Sequence, residues 1–208
     1  MTRHVAPPGG VATMTPARRL KNILGGSAGN FVEWFDWFAY SAFAIYFSRA
    51  FFPAGDQTAQ LLGAAAIFAV GFIARPLGAL LFGRYADRAG RRTALTLSVA
   101  MMCGGSLMIA LIPTGLGVLS PALLLVARLL QGLSVGGEYG ASATYISEMA
   151  ERTRRGFWSG FLYVTLTGGQ LAALLLLVLL QRVLTEQQLY EWGWRIPFAV
   201  GAALAVIV

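Results

Sequence analysis

The sequence predicts an all-α membrane protein, a bundle of six helices, and three observations carry that prediction. Of 208 residues, 57% are hydrophobic and only 12% charged, whereas soluble domains hold about a quarter charged. The apolar residues come in blocks of about 20, the length that a hydrocarbon core of roughly 30 Å demands of a spanning helix. The charged residues collect between the blocks, where polar turns belong. A transmembrane barrel is excluded, because its strands would alternate and run to about ten residues.

The elements follow in order. Residues 1–21 form a Pro- and Gly-containing cytoplasmic tail. It lacks the short apolar core and small-residue cleavage site of a signal peptide. Helices are expected at about 23–47, 61–82, 93–112, 123–146, 157–180 and 197–208. The separators are turn material: "RAFFPAGDQT", "GRYADRAGRR", "PTGLGVLSPA", "SEMAERTRRG" and "QRVLTEQQLYEWGWR". The last block, Pro197 to Val208, spans about 18 Å at about 1.5 Å per residue, so the sixth helix is expected to be incomplete. The six helices and their turns, residues 22–208, make one membrane unit after the tail.

The net charge of +7 does not mark a nucleic-acid binder, because Lys and Arg sit in the short separators. The tail holds Arg3, Arg18, Arg19 and Lys21; the second separator holds Arg84, Arg88, Arg91 and Arg92; the fourth holds Arg152, Arg154 and Arg155. The other separators hold only Arg49, Arg182 and Arg195. The excess of basic residues on one side places the N-terminus in the cytoplasm. Trp192 and Trp194 are then expected at the outer interface, among the headgroups. The single Cys103 excludes an internal disulfide.

Five ionisable residues fall inside the blocks: Glu33, Asp36, Arg75, Arg128 and Glu138. Each costs about 2.5–3.5 kcal/mol at a helix centre, so they persist by pairing, by reaching water or by lining a cavity. Depth sorts them at about 1.5 Å per residue: Glu33, Arg75 and Glu138 near the cytoplasmic third, Asp36 and Arg128 nearer the outer face. The first set has two carboxylates for one guanidinium, and a proton is the simplest counter-ion for the surplus charge. Snorkelling of Arg75 and Arg128 to the headgroups and a purely structural ion pair fit the same residues. The rings of "GNFVEWFDWFAY", residues 29–40, go all round their helix. They are expected to pack and face lipid rather than to cage a cation.

Glycines and prolines mark close contacts. Gly132, Gly136 and Gly140 follow Arg128 at four-residue spacing, a stripe that lets another helix backbone approach. "TLTGGQ", residues 165–170, loosens its helix and places the polar Gln170 at mid-depth. Pro76 follows Arg75 directly and frees a carbonyl, a kink beside a buried charge. Asp87 is placed to accept from nearby arginines or to cap a helix start.

"GRYADRAGRR", residues 83–92, resembles the loop between helices two and three of the major facilitator superfamily. "GNFVEWFDWFAY", "GFIARPLGALLFGRYADRAGRR" and "ARLLQGLSVGGEYGASATYISE" are similar to its metabolite:proton symporter family. "YVTLTGGQ" and "EWGWRIPFAVGA" look closest to the α-ketoglutarate permeases. The resemblance runs from about residue 20 to the C-terminus.

That resemblance implies a secondary active transporter of two six-helix halves, moving by alternating access, with proton-coupled uptake of a small carboxylate across the inner membrane. It implies no enzyme chemistry and no cofactor, only the proton gradient as driving force. Glu33, Asp36, Arg128 and Glu138 would serve proton coupling. Arg75, Gln131 and Gln170 would contact substrate, Arg75 because a guanidinium grips a carboxylate bidentately. Gly83, Asp87, Arg88, Gly90 and Arg91 would form a cytoplasmic gate against the second half. The substrate site of this fold lies between the halves, so the missing C-terminal half is an expected partner beside carboxylate, proton and lipid. A chain holding one half is expected not to transport as a monomer. The competing reading is a transport-inactive half, or a membrane interaction subunit pairing through its glycine stripe.

Overall fold

The computed structural model describes residues 16–52, 55–149 and 155–207. It is all-helical among those residues, with α1 Pro16–Phe51, α2 Gln57–Ala89, α3 Arg91–Leu111, α4 Leu119–Met149, α5 Arg155–Val183, α6 Glu186–Glu191 and α7 Ile196–Ile207. Among them, Gln57–Ala89, Leu119–Gly137 and Tyr163–Val183 are long and apolar enough to cross a bilayer, and Thr96–Leu111 and Gly193–Val206 are shorter apolar stretches.

Helix ends depart from the apolar blocks because polar residues continue the backbone ladder. α1 already begins at Pro16, inside the segment expected as tail; residues 1–15 lie outside the described residues. "GRYADRAGRR" is mostly not a turn. α2 runs through Asp87 and Arg88 to Ala89, and Gly90 alone separates it from α3. Gly90 has φ 90°, and its N–H bonds the Ala86 carbonyl at 2.9 Å, a left-handed break that suits glycine. Asp87 therefore caps nothing at the α3 start, and the N-cap of α2 is Asp56, which accepts from the Ala59 N–H at 2.8 Å. The expected fifth separator holds the short α6, opened by a Thr185–Gln188 capping box, and a 3₁₀ turn at Gly193–Arg195.

The most extensive pairings are α2 with α4 and α1 with α5, followed by α3 with α4 and α7. Glycines set the first two. A Cβ on Gly132 would strike the Gly71 carbonyl, on Gly136 the Arg75 carbonyl, and on Gly78 the Leu133 carbonyl. Gly132 and Gly136 of the stripe thus serve contact within the chain, backbone to backbone, where small residues let membrane helices approach; the surroundings of Gly140 lie outside the described residues. Gly169 does the same for α5: a Cβ there would lie 2.6 Å from the Phe31 carbonyl oxygen of α1. Ser98 and Ser134 tie α3 to α4 by reciprocal bonds, each hydroxyl donating to the other's carbonyl at 2.7 and 2.6 Å.

The core at one end is aromatic: Phe43, Phe47, Phe51, Trp194 and Phe198 pack with Ile109 and Leu124. Trp194 is fully buried there, its ring 5.4 Å from Phe51 and 6.0 Å from Phe47. This corrects the interfacial placement expected for it; Trp192 is the exposed one, at 45%. Arg195 turns back over the Trp194 ring at 4.3 Å and donates through Nη1 to the carbonyls of Ala110 and Ile112, both at 2.8 Å. Those are C-terminal carbonyls of α3, where a cation complements the helix dipole.

Candidate functional site

The site forms where α1 crosses α3 and α4. Asp36 on α1 is 1% exposed, and Arg128 on α4 is fully buried. Their closest atoms, Nη1 and Oδ2, are 3.4 Å apart. The Ser106 hydroxyl of α3 donates to Asp36 Oδ1 at 2.5 Å, and Gln131 Nε2 of α4 donates to Oδ2 at 2.7 Å. Gln131 Nε2 also reaches Ser106 Oγ at 2.8 Å. One carboxylate thus gathers three donors from two helices. A lone ion in this setting carries a large desolvation cost, which the two neutral donors and the guanidinium together offset. A Cβ at Gly201 of α7 would lie 3.2 Å from Asp36 Oδ1, so glycine leaves the carboxylate its space.

Arg128 is held mainly by rings. Its guanidinium carbon lies 3.7 Å from the Tyr40 ring centroid and 5.3 Å from that of Trp37. The Tyr40 hydroxyl donates to the Ala64 carbonyl at 2.9 Å, which fixes that ring against α2. Among the described residues, Arg128 Nε and Nη2 have no hydrogen-bond acceptor, so ring faces supply much of the cation's stabilisation. Arg75 is treated alike, 4.0 Å from Phe72 and 4.2 Å from Trp37, with Trp34 at 5.8 Å. The expectation that the α1 aromatics pack rather than cage a cation is corrected: Trp34, Trp37 and Tyr40 do both.

The expected residues divide accordingly. Asp36, Arg128 and Gln131 meet directly, and Gln131, expected on substrate, bonds Asp36. Glu33 is buried one turn before Asp36, and Arg75 is half-buried on α2 against the rings. Glu138 lies on α4, with its side chain outside the described residues. Gln170 is half-buried on α5, next to the Gly169 contact. Gly83, Asp87 and Arg88 are exposed at the end of α2; the side chain of Arg91 lies outside the described residues. Ser106 was not singled out from sequence, since a serine in an apolar block carries no mark. The Asn30–Thr165 bond at 2.6 Å, which links α1 to α5, was equally unmarked. No group of three or more His, Cys, Asp or Glu residues poised for a metal occurs among the described residues.

Residues 23–208 match the family model for sugar (and other) transporters. The chain is 58% identical over 192 residues to the α-ketoglutarate permease of Escherichia coli K12, covering 91% of this chain and 44% of that protein. It is 38% identical over 204 residues to the citrate-proton symporter of Salmonella typhi, covering 95% and 47%. The inward-open xylose transporter XylE of E. coli superposes with a TM-score of 0.78 at 20% identity, over 91% of this chain and 46% of that one. The chain spans about half the length of the relatives it matches, corresponding to their N-terminal half. It belongs to the sugar (and other) transporter family, and its fold is that of the N-terminal half of a major facilitator superfamily transporter.

Proposed function

We propose that this chain is the N-terminal half of a proton-coupled importer of a small carboxylate such as α-ketoglutarate, in the inner membrane with its N-terminus cytoplasmic. The observation that carries the reading is the buried Asp36–Arg128 pair with its Ser106 and Gln131 donors. The high identity to an α-ketoglutarate permease supports the substrate class, and the distribution of basic residues supports the orientation.

Charged Asp36 holds Arg128 across the α1–α4 crossing. A proton on Asp36 removes the negative charge that attracts Arg128 and loosens that crossing. Glu33 and Glu138 are further proton-coupling candidates. Arg75 takes the substrate carboxylate, with Gln131 and Gln170 as secondary contacts. Gly83, Asp87, Arg88, Gly90 and Arg91 form the cytoplasmic gate against the C-terminal half, which is the required partner. No cofactor is needed, because the proton gradient supplies the energy. That Gly132 and Gly136 pack on α2 supports the transporter reading over a membrane interaction subunit pairing through the stripe.

The test joins this chain to the C-terminal half of the E. coli α-ketoglutarate permease and follows labelled α-ketoglutarate in membrane vesicles. Accumulation is expected under an imposed proton gradient and is expected to collapse with a protonophore. Asp36→Asn should abolish accumulation while sparing exchange of labelled for unlabelled substrate. Accumulation that survives both Asp36→Asn and Glu33→Gln sinks the coupling assignment.

A further inference from the structure

Trp37 serves both arginines. Its ring centroid lies 4.2 Å from the Arg75 guanidinium carbon and 5.3 Å from that of Arg128, so the two cations stand no further apart than the sum of those distances. Each also has a ring of its own, Phe72 for Arg75 at 4.0 Å and Tyr40 for Arg128 at 3.7 Å. The indole is 2% exposed and held in place by Phe68 and Phe72, with ring centroids at 5.0 and 4.5 Å. Gly71 completes the fit. A Cβ there would lie 3.0 Å from Trp37 Cη2 and 3.4 Å from the Arg128 carbonyl oxygen. Trp37 also follows Asp36 directly on α1, so one turn of that helix presents both the carboxylate and the ring to Arg128.

We propose that Trp37 is a positioning residue that couples the substrate site to the proton site, by passing the carboxylate occupancy of Arg75 to the Arg128–Asp36 pair. The proposal rests on the carboxylate–proton reading above. A ring attracts a cation through the negative face of its quadrupole, and one ring shared by two cations holds each less well than it would hold one. A substrate carboxylate on Arg75 offsets that cation's field. The pull of the indole on Arg128 then strengthens, and the repulsion of Arg128 by Arg75 weakens. Both changes act on the cation that faces Asp36 at 3.4 Å. By linkage, the charge of Asp36 acts back on carboxylate affinity at Arg75 by the same factor. Such coupling requires a ring at position 37; apolar volume alone does not provide it.

The same joined carrier tests this with two readouts: accumulation driven by a proton gradient, and counterflow of labelled against unlabelled α-ketoglutarate without one. Trp37→Leu is expected to lower accumulation by at least about tenfold, the weight of one desolvated cation–π contact. Counterflow should fall by far less. Trp37→Phe keeps a ring and should recover most of the accumulation. Unchanged accumulation in Trp37→Leu overturns the proposal. Equal loss of both readouts in both variants also overturns it, because that pattern is packing. A parent carrier with neither readout overturns the carboxylate–proton reading itself, and the coupling role with it.

Discussion

Replacing Gly136 by alanine tests whether backbone contact between α2 and α4 holds this half together. The new Cβ would strike the Arg75 carbonyl oxygen, and would sit 2.8 Å from the Ala79 nitrogen and 2.9 Å from the Arg75 carbonyl carbon. All three are backbone atoms, so no rotamer change relieves the clash and α2 must shift. Overpacking of this kind costs about 1–3 kcal/mol, and three backbone contacts put it at the upper end. Alanine regains about 1 kcal/mol of helix propensity over glycine, leaving a net loss of about 2 kcal/mol. On the scale of soluble domains of this length, that lowers Tm by roughly 4–8 °C. Gly104→Ala is the control, since nothing lies within 4 Å of its would-be Cβ; it should leave Tm unchanged or raise it slightly. The assay is the fraction of purified chain that stays monodisperse after heating in mild detergent. Equal melting of the two variants would refute the claim that α2 and α4 meet backbone to backbone at Gly136.

Two further substitutions probe the aromatic end of the bundle. Trp194→Ala empties a fully buried site among Phe47, Phe51 and Phe198 and should cost about 3–5 kcal/mol. Trp192→Ala, at an exposed position, should stay within about 0.5 kcal/mol, and the same heating assay reads the contrast. Arg195→Ala removes both charge-assisted bonds to the α3 C-terminus, a loss of about 1.5–3 kcal/mol. It should raise amide hydrogen exchange in the last turn of α3 while leaving α2 unchanged.

Block length and charge placement made much of this half legible. The apolar stretches lie within the observed helices apart from Ile112 after α3, and Val208 lies outside the described residues. Depth counting also put Asp36 and Arg128 within reach of each other, because both residues are rare inside membranes and their rise along the helix is fixed. Residues whose surroundings depend on a neighbouring helix were not legible. Ser106 looks like any small packing residue until α3 brings it to Asp36. Trp194 obeys the composition rule for membrane interfaces, yet the 3₁₀ turn after α6 folds it inward. The rings of α1 go all round the helix in sequence, and only the positions of α2 and α4 decide which of them faces a guanidinium. The "GRYADRAGRR" segment reads as a turn by composition, but one glycine is enough to make the turn and the rest stays helical.

The two kinds of contact in this half respond differently to a proton. α2 and α4 touch through Gly71, Gly78, Gly132 and Gly136, and α5 meets α1 through Gly169. Backbone-to-backbone packing has no titratable group and no rotamer to change, so a proton does not act on these contacts directly. The crossing of α1 over α4 is different. It relies on Asp36, which takes donors from Ser106, Gln131 and Arg128, and on the Tyr40 and Trp37 rings of α1 itself, which face the same arginine. Neutralising Asp36 weakens its hold on Arg128 but leaves the Tyr40 and Trp37 faces in place. The cation then has a place to stay without its carboxylate, and the buried charge is not left in bare hydrocarbon. This is why the rings matter beyond packing: they keep Arg128 seated against α1 when Asp36 is neutral, so the α1–α4 joint loosens at its carboxylate without stranding the cation.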